Sequence, residues 1–145
     1  MADRMQGFGN HKRFFPLYHF IAAPLLIAYL LYALYALLRA PSLATAASVV
    51  LGVGAFCTLF ASRLMVLAVQ NRLIRLEMRL RFDRLFGAAA SDNFDALALR
   101  QIIALRFASD AELPGLVQRV RSKELATPTA VKQAIRDWQP DFLRA

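Results

Sequence analysis

The sequence predicts an all-α membrane protein. We expect an antiparallel two-helix transmembrane hairpin whose second helix extends into the cytoplasm and leads into a small three-helix cytoplasmic domain. Hydrophobic residues make up 58% of the 145 residues and charged residues only 19%, against about a quarter in soluble domains. Two long segments, 14–38 and 40–62, carry no formally charged side chain. Basic residues outnumber acidic ones by 18 to 10, and all of them lie outside those segments.

Each uncharged segment is long enough to cross the hydrocarbon core, for which about 20 apolar residues suffice. We predict spans at 14–38 and 42–62, joined by a short periplasmic loop at 39–41. Pro41 stops the first helix, and Ser42 is the candidate N-cap of the second. Helices joined by so few residues are antiparallel neighbours. A cleaved signal peptide is excluded because its apolar region spans only about 7–15 residues.

Orientation follows from the distribution of Lys and Arg, which accumulate on the cytoplasmic side of a membrane. The N-terminal segment 1–13 is basic, the loop at 39–41 has a single arginine, and the segment 63–86 holds six arginines for two acidic residues. Both termini are therefore expected in the cytoplasm, and the protein is expected to be a multi-pass protein of the cytoplasmic membrane.

Small residues recur at helical spacing in the second span and form two stripes. One stripe consists of Ala44, Ser48, Gly52 and Ala55, and the other of Gly54, Thr58 and Ser62. Such spacing lets helix backbones approach closely in lipid. Ser48, Gly52 and Ala55 are accordingly candidate contacts for a partner helix. The alternative is that one stripe packs against the first span, and both can hold together.

His19 is the one ionisable side chain of the first span. A histidine in a membrane can bind a haem or pigment metal. Because His19 lies near the interface and neither span has a second histidine, a hydrogen-bonded interfacial histidine is favoured. No cofactor or metal is expected. Pro16 suits a helix start and Pro24 predicts a kink.

The segment 63–86 continues the second helix without a break, since neither Gly nor Pro occurs between Ser62 and Gly87. Arg72, Arg75 and Arg79 share one face of this stem. They are candidates for contact with anionic lipids or with acidic surfaces of a partner protein. The third interpretation is positive-inside topology with i,i+4 pairs such as Glu77–Arg81 and Arg79–Asp83. The preference for Arg over Lys favours protein contacts, and nucleic acid is the least favoured partner.

The segment 87–145 has the balanced charge of a soluble domain. We predict one helix from about Asp92 to Phe107, a second from about Leu113 to 121–124, and a third from Thr127–Pro128 to Trp138, stopped by Pro140. The expected core consists of Leu99, Ile103, Phe107, Leu113, Leu116, Val120, Leu125, Val131, Ile135 and Trp138. Trp138 is more often a core residue in so small a bundle, and the alternative is a partner hot spot.

Three stretches resemble a family of small bacterial two-span membrane proteins known only as a domain of unknown function. They are residues 10–20 (NHKRFFPLYHF), the segment from Ala61-Ser-Arg-Leu-Met to Leu76-Glu-Met-Arg-Leu-Arg81, and residues 99–114 (LRQIIALRFASDAELP) continuing to Ala134-Ile-Arg-Asp-Trp-Gln-Pro140. The resemblance covers roughly 10–144. It implies a protein of the bacterial inner membrane and brings no activity with it.

The sequence contains no recognisable catalytic motif: one Cys and two His exclude disulfide frameworks and the usual zinc sites. We therefore expect a non-catalytic accessory subunit of a larger bacterial inner-membrane complex, with an energy-transducing (respiratory or photosynthetic) assembly as one candidate. Its partners would be other integral membrane proteins and anionic lipids. The alternative is a self-associating, membrane-anchored adaptor that recruits a soluble protein through its C-terminal helices.

Overall fold

A computed structural model describes residues 7–9 and 15–141, and the named secondary-structure elements of these residues are all helices. The predicted N-terminal segment 1–13 therefore lies largely outside the described residues, as do residues 142–145. Helix α1 spans Ala23–Arg39, α2 Leu43–Phe86, α3 Ala90–Asp95, α4 Leu99–Leu105, α5 Leu113–Arg121 and α6 Pro128–Ala134. Two helical segments, Leu17–Arg39 and Leu43–Asp95, are long and apolar enough to cross a membrane. From residue 15 onward, the chain divides after Leu67 into two compact units, here called the N-terminal unit and the C-terminal unit.

A π-helical turn at Leu17–Ala22 leads into α1. Pro24 lies in the first turn of α1 and has no N–H to donate to the carbonyl four residues before it. A π-helical turn is a common way for a helix to accommodate such a lost bond. The structure thus shows altered helical winding at the position where the sequence predicts a kink.

The start of α2 shows the predicted N-cap. The backbone N–H of Thr45 donates to Ser42 Oγ at 3.1 Å, and the N–H of Ser42 donates to Thr45 Oγ1 at 2.9 Å. This reciprocal pair satisfies two of the N–H groups that a helix start leaves without partners. From this cap α2 runs without a break to Phe86, which confirms the continuous helix that the sequence predicts.

The C-terminal unit has a hydrophobic core to which the last part of α2 contributes. Ile74, Met78 and Phe82 are buried, and their four-residue spacing places them on one face of α2. The short helices and the turn after α4 supply the other large side chains that are fully buried, which are Phe94, Ile102, Leu105, Phe107, Leu113, Val117 and Val131. The later part of the predicted stem therefore contributes to the core of this unit.

The first predicted helix of the C-terminal segment is wrong, because two helices, α3 and α4, occupy its place. The chain leaves the helical conformation at Ala98, whose ψ is 149°. The N–H of Ala98 donates to Gln101 Oε1 at 2.9 Å, and this local bond starts α4 anew. The described part of the unit after α2 consequently has four short α-helices and not three. Leu99, expected in the core, is 41% exposed, since α4 buries Ile102 and Leu105 instead.

The last helix is shorter than predicted: α6 ends at Ala134, well before Pro140. Tertiary hydrogen bonds replace the helical ones beyond that point. The carboxylate of Glu112 accepts the N–H groups of Arg136 at 3.1 Å and Asp137 at 3.3 Å, and the N–H of Gln139 donates to Phe107 O at 2.7 Å. These bonds hold the segment extended against the turn that follows α4.

Two other predicted helix starts are confirmed. Helix α5 begins at Leu113 with Pro114 in its first turn, where a missing N–H costs nothing. Helix α6 begins at Pro128, and Thr127 Oγ1 accepts the N–H of Ala130 at 3.1 Å. Both starts are local features, which explains why they can be predicted from neighbouring residues alone.

Candidate interaction sites

Gly52 lies at a close contact between α1 and α2. A Cβ atom at this position would be 2.6 Å from Leu30 Cδ2 and 3.0 Å from Tyr29 Cε1, both too short for carbon atoms. The hydroxyl of Tyr29 also donates to the carbonyl oxygen of Ser48 at 3.3 Å. Of the predicted partner contacts, Ser48 and Gly52 are thus used within the chain, and Gly52 allows the two helices to approach.

The stripe formed by Gly54 and Thr58 has a different environment. A Cβ atom on Gly54 would meet nothing within 4 Å, and Thr58 Oγ1 donates to Gly54 O at 2.9 Å within the helix. Because the Thr58 hydroxyl has a hydrogen-bond partner within its own helix, this face presents only small groups that need no polar partner. Gly54, Ala55 and Thr58 are all exposed in the N-terminal unit, so this face remains accessible to another helix.

Two of the three arginines on the predicted face of the stem make contacts within the chain, and the third does not. Arg79 Nη1 lies 3.3 Å from Asp95 Oδ1, and the guanidinium groups of Arg75 and Arg79 lie 5.9 and 5.4 Å from the centre of the Phe94 ring. Arg72 makes no hydrogen bond or ion pair with any residue that the structure describes. Arg72 is therefore the member of this face that is open to lipid or protein.

Arg81 is an internal anchor that sequence reasoning missed. Its Nε donates to Asp110 Oδ1 at 2.6 Å, its Nη2 to Ala108 O at 2.6 Å and its Nη1 to Arg106 O at 3.3 Å. The two carbonyls follow the end of α4, where acceptors lack helical partners. The suggested i,i+4 pairs are absent from the ion pairs of the described residues, because Arg81 binds Asp110 and Arg79 binds Asp95. No local pattern signals contacts so distant in sequence.

Asp110 receives a second charge-assisted hydrogen bond, from Arg84 Nη2 to Oδ2 at 2.6 Å. The hydrogen bond from Arg81, aided by the positive charges of Arg81 and Arg84, lowers the pKa of the Asp110 carboxyl below its ordinary value despite slight desolvation. The carboxylate is thus bound more tightly than the protonated acid. Asp110 connects the stem to the turn after α4.

We expect acid to weaken the C-terminal unit through Asp110. Because its folded pKa is lowered, its contribution is complete above the unfolded pKa of about 3.9 and is lost as pH falls through the folded pKa. Since Asp110 is half exposed, that contribution is about 1 kcal/mol or less. Asp110→Asn should lower the urea midpoint at pH 7, followed by Trp138 fluorescence, and flatten its fall below about pH 4. Asp83→Asn is the control, and an equal effect there would contradict this role.

Trp138 packs as a partly buried residue of the C-terminal unit. Its indole stacks on Phe107 with ring centres 4.5 Å apart and an interplanar angle of 16°, and its backbone forms an isolated antiparallel bridge with Ala108. Arg106 also lies close to the Phe107 ring, with its guanidinium 4.3 Å from the ring centre. The Nε atom of Arg106 is 3.2 Å from Asp141 Oδ2. Trp138 thus packs on a buried ring while remaining partly exposed, and a role as a partner contact stays a prediction.

His19 lies in the π-helical turn, where its Nδ1 is 3.1 Å from the backbone nitrogen and 3.0 Å from the carbonyl oxygen of Phe15. These are the contacts of a hydrogen-bonded histidine at a helix start. Among the residues that the structure describes, no group of three or more His, Cys, Asp or Glu side chains is placed to hold a metal ion.

The fold defines the class of protein. The described elements are helices, two helical segments are long and apolar enough to span a membrane, and the C-terminal unit is compact. The chain belongs to the family described as "Family of unknown function (DUF6526)", whose sequence profile matches residues 1–145. Membership in an uncharacterised family, expected from the resemblance, is confirmed. No curated protein and no solved structure is significantly similar to the chain.

Proposed function

We propose that this protein is a non-catalytic accessory subunit of a larger bacterial inner-membrane complex, inserted as a transmembrane hairpin with both termini in the cytoplasm. The observation that carries the proposal is the uncovered apolar surface of the two candidate spans. Only 6% of the apolar window of each is buried within the chain. So much exposed apolar surface requires lipid or partner helices.

Contacts of α2 with α1 and with the π-helical turn before it support the hairpin. Tyr18 of that turn contacts Arg63, Tyr29 of α1 contacts Ser48, and Leu30 is the nearest neighbour of the Gly52 position. Positions later in this first helical segment meet positions earlier in α2, as expected for antiparallel helices. Arginines concentrated from Arg63 onward favour the cytoplasm for that side.

The exposed face at Gly54 supports docking to another membrane helix. Helix association in lipid depends on close packing of small residues, and the contact with α1 uses Gly52, leaving Gly54 open. Arg72 adds a free guanidinium at the cytoplasmic side for an acidic group of the partner or of a lipid headgroup. A respiratory or photosynthetic assembly is one candidate for the complex.

The proposal is tested by extracting the tagged full-length chain from its native membrane in a mild detergent. Native gel electrophoresis followed by mass spectrometry should find it in a particle much larger than a monomer, together with other integral membrane proteins. Recovery of this polypeptide with lipid alone would contradict the proposal.

A second candidate is a self-associating membrane anchor whose C-terminal unit recruits a soluble protein. The separate compactness of that unit, which includes Ile74, Met78 and Phe82 of α2, favours this alternative. The same purification distinguishes the two candidates, since the adaptor would yield copies of this chain and a soluble protein in place of membrane subunits.

A further inference from the structure

An apolar groove runs along the N-terminal unit between α1 and α2. It has a volume of about 620 Å³, and its lining includes Leu25, Leu26, Ala55, Thr58, Leu59 and Ser62. A smaller cavity of about 240 Å³ adjoins it, since Ser62 lines both; Phe15, Tyr18, Arg63 and Val66 complete the lining of the smaller cavity. The apolar groove and the smaller cavity thus meet at Ser62, and the smaller cavity is lined by the positively charged Arg63.

The guanidinium of Arg63 is available to a ligand. Its one contact among the described residues is with the ring of Tyr18, whose centre lies 5.9 Å from the guanidinium carbon. A guanidinium over an aromatic ring keeps its N–H groups for hydrogen bonding at its edge. Arg81, in contrast, donates to three oxygen atoms of its own chain. The free donors of Arg63 suit a phosphate, which accepts two parallel hydrogen bonds.

We propose that an anionic phospholipid occupies this groove, with an acyl chain along Leu25, Leu26 and Leu59 and its phosphate on Arg63. This ligand matches both parts of the site, because the apolar groove and the smaller cavity that contains Arg63 share Ser62 in their linings. A partner helix suits the open face of Gly54 better, since that face has no charge to satisfy. The inference rests on the proposed membrane insertion, which places Arg63 at the level of the cytoplasmic headgroups.

The test uses the delipidated full-length chain in detergent and native mass spectrometry with added phosphatidylglycerol or phosphatidylcholine of identical acyl chains. We expect the wild type to retain phosphatidylglycerol in preference. Arg63→Gln should lower this retention about fivefold, the equivalent of one contact between a basic residue and an anionic lipid. Arg100→Gln removes the same charge from an exposed position on α4 of the C-terminal unit and should leave retention unchanged.

Several results would overturn the inference. They are equal losses in Arg63→Gln and Arg100→Gln, no preference between the two lipids, or equally effective competition by glycerol phosphate, which has no acyl chain. Ala55→Phe fills the groove and should lower retention of both lipids, whereas unchanged retention would count against the acyl-chain site. Fractionation of cells that express the chain separates this outcome from failure of the membrane insertion on which the inference rests, since recovery of the chain outside the membranes would show that failure.

Discussion

Replacing Phe82 by alanine is expected to lower the free energy of unfolding of the C-terminal unit by about 3–5 kcal/mol. Phe82 is 0% exposed, and its ring centre lies 4.9 Å from that of Phe86 and 5.3 Å from that of Phe94. Truncation removes the apolar contacts and leaves a cavity that neighbouring side chains fill only in part. The last part of α2 would then lose the contact between the Phe82 ring and the ring of Phe94 on α3.

The single tryptophan of the chain makes this effect measurable in the full-length protein. Trp138 stacks on Phe107 within the C-terminal unit, so urea unfolding followed by its fluorescence reports on that unit. Leu80→Ala is the matched control, because Leu80 is on the same helix and 62% exposed; we expect a change within about 0.5 kcal/mol. Equal effects of the two substitutions would show that Phe82 is not a core residue.

The second large effect is expected from Gly52→Leu, which should separate α1 from α2. Even a Cβ atom would lie 2.6 Å from Leu30 Cδ2 and 3.0 Å from the ring of Tyr29, and a full leucine side chain forces both residues to move. Such overpacking costs typically about 1–3 kcal/mol. The midpoint of an SDS titration followed by circular dichroism should fall accordingly.

Gly54→Leu is the matched variant for the neighbouring face. Both substitutions gain the same helix propensity, so their difference isolates the contact at Gly52. Because Gly54 has nothing within 4 Å, we expect an unchanged or raised midpoint together with loss of co-migration with the larger complex. A lowered midpoint in Gly54→Leu, or none in Gly52→Leu, would contradict the assigned faces.

Local signals account for the parts of the fold that the sequence predicts correctly. The caps at Ser42 and Thr127 depend on residues within one helical turn, as does the position of Pro114 in α5. The continuity of α2 beyond Ser62 follows from the absence of Gly and Pro between Ser62 and Gly87. The family resemblance, too, lies in the order of residues along the chain.

Contacts between distant residues account for the errors. The helical pattern through Ile135 and Trp138 is genuine, but the bonds from Arg136 and Asp137 to Glu112 replace the helix there. The same limit applies to the candidate sites. The spacing of small residues predicts two stripes on α2 and does not distinguish between them. Only the contacts at Gly52 with Leu30 and Tyr29 show which stripe packs against α1.

Double crossing of the membrane with both termini in the cytoplasm is tested most directly by labelling single cysteines with a membrane-impermeant maleimide. In a Cys57→Ser background, Ser42→Cys marks the loop between α1 and α2, and Asp92→Cys marks exposed α3. In intact cells we predict that Ser42→Cys is labelled, whereas Asp92→Cys is labelled only after the membrane is permeabilised. Labelling of Asp92→Cys from outside, or protection of Ser42→Cys until permeabilisation, would contradict the proposed hairpin.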